Sequence, residues 1–247
     1  MVILFLHAKR KLKVQNFLKL EVSNYENTIV KMSVIKLYHF PISGPSRGAL
    51  LAARAVGVPI TIEIVDLFKK QQLEETFLKI NPQHCVPTLD DDGFVLWESR
   101  AIACYLVDKF GKDDQLYPKD LKRRALVNQR LYFDSSSLYV KIRAVCFPIL
   151  FLGETEIKQN LKDDLNTTLG FLDQFLSNSK WVAGENITIA DTSMYASLSS
   201  ILAVGWDISK FPNIERWVKD CSSLPGYEEN QEGAKAFGEA VKKNLKQ

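Results

Sequence analysis

The chain has 247 residues, 46% of them hydrophobic and 25% charged, with a formal net charge of +3, a composition suited to one large domain or two small ones with an ordinary core. Residues 1–31 carry Lys9, Arg10, Lys11, Lys13, Lys19 and Lys31 against Glu21 and Glu26, so the remainder is close to neutral and offers no basic footprint for nucleic acid. Cys85, Cys104, Cys146 and Cys221 lie far apart and form no metal-ligand spacing with His7, His39 or His84, which points to a reducing compartment and no metal, and no apolar run approaches the roughly 20 residues that span a bilayer.

In residues 1–31 the apolar stretch Val2 to Leu6 precedes the charges, the reverse of a secretory signal, and no small-residue cleavage site follows. The basic, acid-poor composition fits a transit peptide only loosely. The plainer expectation is that Met32 is the usual start and the extension is upstream coding sequence or a disordered tail.

From residue 34 the pattern reads strand, helix, strand, helix, strand, strand, helix. Residues 34–40 are an apolar strand, and residues 45–56 a helix that stops at Gly57, a common C′ residue. Ile60, Ile62 and Ile64 alternate along the next strand. Residues 71–80 predict a short helix. The runs 86–89 and 94–97 flank Asp90-Asp91-Asp92-Gly93 as a hairpin. Residues 99–110 predict a helix ended by Gly111, its buried face spaced as Ile102, Tyr105, Leu106 and Lys109. Everything after about Pro118 reads as helical: 122–144, with Pro148 ending or kinking it, then 154–176, 188–204, 213–222 and 234–245. A small α/β domain, residues 33–112, therefore precedes an all-α domain, residues 120–247.

Three loops carry the chemistry. Ser43-Gly44-Pro45-Ser46 joins the first strand to the first helix, where backbone N–H groups and the helix dipole favour negative charge. In thioredoxin-like domains Gly-Pro between two cysteines sits here; with serine at both ends the loop cannot exchange disulfides, but a hydroxyl can donate to a thiolate brought by a ligand. Ser43 is the stronger candidate and Ser46 its rival, since a hydroxyl inside the first turn more often bonds its own backbone. In Asn81-Pro82-Gln83-His84-Cys85-Val86-Pro87-Thr88-Leu89, a cis bond at Pro87 would leave the Val86 backbone free to pair with an extended peptide; taken alone, a plain strand-edge proline is the simpler account. In Trp97-Glu98-Ser99-Arg100, Ser99 is expected to cap a helix whose N-terminus can take a carboxylate, with Arg100 as charged partner and Glu98 meeting an amine. Together the loops describe a small peptide with a thiol, a free carboxylate and a free amine.

These segments, with Leu116-Tyr117-Pro118 and Asn128-Gln129-Arg130-Leu131-Tyr132-Phe133-Asp134, resemble the cytosolic glutathione S-transferases, nearest the arthropod delta/epsilon group, over nearly all of residues 33–246. The resemblance implies a thioredoxin-like α/β domain (βαβαββα) followed by an all-α domain, glutathione as co-substrate, no metal, and a cytoplasmic homodimer that conjugates hydrophobic electrophiles in detoxification. It makes Ser43 the catalytic hydroxyl. It places His84 at the glycine end of glutathione, Val86 and Pro87 at the cysteinyl backbone, and Glu98, Ser99 and Arg100 at the γ-glutamyl end. Gln72 stands where a second histidine is often found, and it carries no charge.

The same resemblance puts the electrophile among Ile42, Pro45, Leu67, Tyr139, Ile142, Phe147, Leu150, Phe151 and Phe237. Apolar stripes are usually core; Tyr139 and Phe147 are the strongest candidates because Arg143 and Cys146 interrupt their surface. Thr188-Ile189-Ala190-Asp191 reads as a capping box, with a weak staple between Ile187 and Thr192. A second class of function stays open: a non-catalytic transferase-like carrier of hydrophobic ligands. Thiol oxidoreduction is disfavoured by the two serines.

Overall fold

The computed structural model describes residues 35–246; the expected N-terminal extension lies outside them. The first part is a four-stranded sheet with strands β1 (Ile35–His39), β2 (Ile60–Ile64), β3 (Thr88–Asp91) and β4 (Phe94–Trp97) in the order β2-β1-β3-β4. β1 runs parallel to β2 and antiparallel to β3, with Leu37 opposite Ile62 and Leu89. Helices α1 (Gly44–Val56) and α3 (Ser99–Phe110) cover one face, burying Ile35, Leu37, Leu89, Leu50, Ile102 and Leu106 in one cluster. On the other face Tyr38, Phe40, Val65, Phe77 and Val86 form a smaller cluster beneath the loops that matter below. The segment before β3 is one turn of 3₁₀ helix, Gln71–Leu73, and a short α2, Glu75–Leu78, rather than one helix over 71–80.

The helical part comprises α4 (Leu121–Phe133), α5 (Tyr139–Phe151), α6 (Gln159–Leu176), α7 (Ile189–Val204), α8 (Pro212–Asp220) and α9 (Tyr227–Asn244). α7 is its axis, with every residue from Ile189 to Ile201 buried. The α/β layer docks on it through α1, where two glycines allow close approach: a Cβ on Gly44 would lie 3.2 Å from the Ala196 carbonyl, and one on Gly48 3.4 Å from Ser193 Cα. At the start of α7 the capping box is formed. Asp191 accepts from the Thr188 N–H at 2.8 Å, and its other oxygen from the Val182 N–H and Trp217 Nε1, each at 3.0 Å.

Several expectations are corrected. The helix expected over 122–144 is interrupted by a π turn, Asp134–Leu138, so α4 and α5 are separate. Its serines explain the break: Ser135 and Ser136 hydroxyls both donate to the Tyr132 carbonyl, at 3.1 and 2.8 Å, competing with the regular ladder. Pro148 does not end α5, which runs on to Phe151 and stops ahead of Gly153 at φ 75°. α6 begins at Gln159 rather than 154, and α9 at Tyr227 rather than 234, because Gly226 at φ 83° turns the chain and Glu228 and Glu229 suit the dipole of a first turn. Lys109 is not on the buried face of α3; its ammonium is bound to Asp91, and Ala103 and Val107 complete that face instead.

Candidate active site

Ser43 is the N-cap of α1. Its backbone is extended (φ −76°, ψ 114°) and its Oγ accepts from the Ser46 N–H at 3.3 Å. An acceptor lone pair is thus occupied while the O–H proton remains available to a ligand, and Pro45 starts the helix with a ring that needs no N–H partner. Ser46, the rival, is fully buried and does not line the cavity that Ser43 lines, and its Oγ has no partner among the described residues rather than bonding its own backbone.

The turn that presents Ser43 is held by Arg47, which is buried on the next turn of α1. Its guanidinium donates to the carbonyls of Pro41 and Ile42 at 3.1 and 3.0 Å, to Ala196 O at 3.0 Å, to Ser200 Oγ at 2.6 Å and to Asn230 Oδ1 at 3.0 Å. None of these acceptors is charged, and desolvation lowers its pKa to about 9. Arg47 directly follows the Ser43–Ser46 loop, and sequence reasoning assigns it no role. A basic residue four positions after Ser43, on a helix face otherwise made of Leu, Ala and Gly, was the available signal.

Ser43 opens on a cavity of about 560 Å³ between the α/β loops and helices α5 and α9. Of the anticipated electrophile residues, Ile42, Leu67, Tyr139, Ile142, Phe147, Leu150, Phe151 and Phe237 all line it. Pro45 does not; it is spent on starting α1. Phe40, Leu73, Cys146 and Ser200 join the walls. Phe147 and Phe151 rings lie 4.9 Å apart, and Phe151 in turn meets Phe68 at 5.7 Å, which ties α5 to the loop after β2. Burial raises the pKa of the Tyr139 hydroxyl and of the Cys146 thiol, the latter to about 12, so both are protonated at neutral pH.

On the α/β side, Gln72, His84, Cys85 and Val86 line the same cavity. Asn81 builds this loop. Its Oδ1 accepts from the Gln83 N–H at 2.9 Å and its amide donates to Thr88 Oγ1 at 2.9 Å, while His84 takes a left-handed φ of 44°. The Val86–Pro87 bond is cis, so the loop takes the form that leaves the Val86 backbone free and not the simpler strand-edge one. The Val86 N–H and carbonyl have no hydrogen-bond partner among the described residues, so a strand-like ligand could pair with them. Lys70, which sequence reasoning missed, also lines the cavity beside Gln72, held in a left-handed φ of 60° and without an ion-pair partner among the described residues. Its side chain is a cation on the same wall as the neutral Gln72.

Pro87, Glu98, Ser99 and Arg100 lie outside that cavity wall. Ser99 is not the N-cap but the first residue of α3. Glu98 occupies the cap position at φ 71°, ψ 101°, with no side-chain bond to the helix. The reason is that the Ser99 hydroxyl accepts from Arg100 Nη1 at 2.9 Å. The first-turn N–H groups are therefore left uncapped, the condition for binding a carboxylate. Arg100 is anchored by Asp134 on the π turn, Nη2 to Oδ2 at 2.6 Å, and the Ser193 hydroxyl donates to the same oxygen at 2.7 Å.

Comparison with known proteins identifies the class. The family model for the glutathione S-transferase N-terminal domain matches residues 43–109 and that for the C-terminal domain residues 138–225. The chain belongs to the glutathione S-transferase family, and its fold is that of a glutathione transferase. It is 44% identical over 203 residues to Glutathione S-transferase D7 of Drosophila melanogaster, covering 81% of this chain and 90% of that one. The solved structure of glutathione S-transferase unclassified 2 from Bombyx mori is 78% identical with a TM-score of 0.85, covering 87% of this chain and all (100%) of that one. A delta-class glutathione transferase of Nilaparvata lugens is 50% identical with a TM-score of 0.83, covering 85% of this chain and 100% of that one. Delta- and epsilon-class transferases are both among its structural neighbours.

Proposed function

We propose that this transferase conjugates glutathione to hydrophobic electrophiles, as a cytoplasmic homodimer acting in detoxification, with Ser43 as the residue that activates the thiol. The α/β domain, residues 33–112, binds glutathione, and the helical domain, residues 120–247, supplies the electrophile wall. The observation that carries this reading is the position of Ser43: an N-cap whose oxygen already accepts one backbone N–H and whose hydroxyl faces a largely apolar cavity.

A thiol of ordinary pKa, about 8.5, is mostly protonated at neutral pH. A hydroxyl donated to the sulfur, together with the N-terminal dipole of α1, favours the thiolate by about one to two pKa units. The thiol proton leaves to solvent. The sulfur lone pair then forms the S–C bond to an aryl halide, and the halide departs with its bonding electrons. Val86 pairs with the cysteinyl backbone, His84, Gln72 and Lys70 meet the glycine carboxylate, and Glu98, Ser99 and Arg100 with the uncapped start of α3 receive the γ-glutamyl amine and carboxylate. Pro87 fixes the approach. Pairing of two copies is supported by Phe94 on the edge strand β4 and Tyr132 on α4, aromatic side chains that are 51% and 72% exposed.

Steady-state conjugation of 1-chloro-2,4-dinitrobenzene with the full chain tests the reading. Saturable turnover with both substrates is expected. Tight binding of glutathione and of hydrophobic dyes without turnover would contradict it and favour a carrier.

A further inference from the structure

We propose that the electrophile for which this cavity is shaped carries an anionic group, bound by Arg143. The proposal rests on the transferase reading above and names the substrate class. The wall contributed by α5 is apolar at Tyr139, Ile142, Phe147 and Leu150, and Arg143 is the one cation among them. Its guanidinium lies over the Phe147 ring at 4.0 Å from the centroid. The N–H edge has no hydrogen bond or ion pair among the described residues, and the cavity walls include no aspartate or glutamate.

Arg143 is exposed at the rim of the cavity, where its stacking on Phe147 holds the guanidinium plane over the apolar wall and leaves its N–H edge open to an incoming group. A carboxylate or sulfonate restores the missing charge partner through two parallel N–H donors, a geometry suited to arginine and not to lysine. The acidic end of glutathione does not need this cation, because His84, Lys70 and Gln72 stand on the α/β side of the cavity. Arg143 is therefore left for the second substrate: an aromatic or alkyl body against Phe147, Leu150 and Phe237, with an acid group at the guanidinium.

Ethacrynic acid, an aryl vinyl ketone whose carboxylate is remote from the reacting alkene, and its methyl ester make the test. In both, the glutathione sulfur adds to the terminal alkene carbon, the π pair becomes an enolate, and water returns a proton to give the ketone. With full-length protein at neutral pH, the acid should show a KM about fivefold below the ester, the upper end for a pair made by an exposed guanidinium. Arg143→Met should erase the difference by raising the KM of the acid alone, Arg143→Lys should restore part of it, and the glutathione KM should stay unchanged.

No preference for the acid in the wild-type chain overturns the proposal, as does a loss in Arg143→Met that falls equally on acid and ester. A rise in glutathione KM with Arg143→Met overturns it too, assigning the residue to the co-substrate. Equilibrium binding of acid and ester reads the same ratio without turnover. A chain that conjugates nothing yet binds the acid about fivefold tighter loses the transferase reading and keeps Arg143 as an anion anchor, whereas equal binding of the two removes the anchor.

Discussion

Arg47 Nη1 donates to the Ile42 carbonyl at 3.0 Å, so the residue just before Ser43 is fixed by a side chain from the helix that Ser43 caps. The rest of the guanidinium reaches α7 through Ala196 and Ser200 and α9 through Asn230, and one residue thereby sets the angle between the serine turn and the electrophile wall. Arg47→Met should remove the donor from five acceptors, three of them in buried contacts. A loss of about 3–5 kcal/mol of stability is expected, together with a fall in turnover, and denaturant unfolding alongside kcat would measure both. Arg47→Lys should recover little, because an ammonium cannot reproduce the planar fork.

Gly233 guards the same turn from the opposite side. A Cβ there would lie 2.3 Å from the Pro41 carbonyl and 2.7 Å from Arg47 Cδ. Gly233→Ala should displace the Pro41–Ile42 turn and lower kcat at least about tenfold, while destabilisation stays within the roughly 1–3 kcal/mol of an overpacked core. Activity retained at the wild-type level would show that the turn tolerates the shift.

Two buried groups give stability slopes of opposite sign in mildly acidic solution. Burial lowers the His39 pKa to about 4, so the neutral form belongs to the folded state; its contribution is complete above about 6.5 and is lost as pH falls toward 4. Burial raises the Asp191 pKa to about 6, so its contribution is complete below about 4 and is lost as pH rises through 6. The two largely offset each other between pH 4 and 6, at up to about 3 kcal/mol each. His39→Leu should expose a stability that declines as pH rises across this window, and Asp191→Asn one that increases. The Asn variant should also be weaker throughout, since an amide donor replaces an acceptor facing Val182, Thr188 and Trp217. Thermal unfolding of the three proteins from pH 4 to 7 would decide it.

At the glycine end of glutathione, His84→Ala should raise the glutathione KM more than Gln72→Ala, by about 1 kcal/mol or more, because charged hydrogen bonds exceed neutral ones. Lys70→Met should also raise it and should flatten its dependence on salt, as an exposed charge is screened. An equal response to the first two changes, or none, would place the carboxylate elsewhere.

The order of strands and helices was legible because each element announces itself locally: alternation in Ile60–Ile64, Gly57 after α1, and Thr188 with Asp191 before α7. The loops around Ser43, Val86 and Glu98 were legible as motifs, and eight of the nine anticipated electrophile residues line one cavity. What was hidden depends on tertiary partners. Whether 134–138 is a π turn depends on Ser135 and Ser136 competing for the Tyr132 carbonyl and on Asp134 meeting Arg100, a residue 34 positions earlier. Ser99 reads as a cap from sequence because its rival bond to Arg100 leaves no periodic trace. The role of Arg47 follows from which acceptors surround it and that of Lys70 from its place on the cavity wall, and spacing along the chain supplies neither.

The central claim is that the Ser43 hydroxyl stabilises the thiolate of bound glutathione, and the pH dependence of kcat/KM in Ser43→Ala addresses it directly. The account predicts that the apparent thiol pKa rises by about one to two units and that turnover at neutral pH falls about 10- to 100-fold. It also predicts a glutathione KM changed far less and recovery of rate at alkaline pH. A Ser43→Ala enzyme whose pH profile coincides with that of the wild type would contradict it.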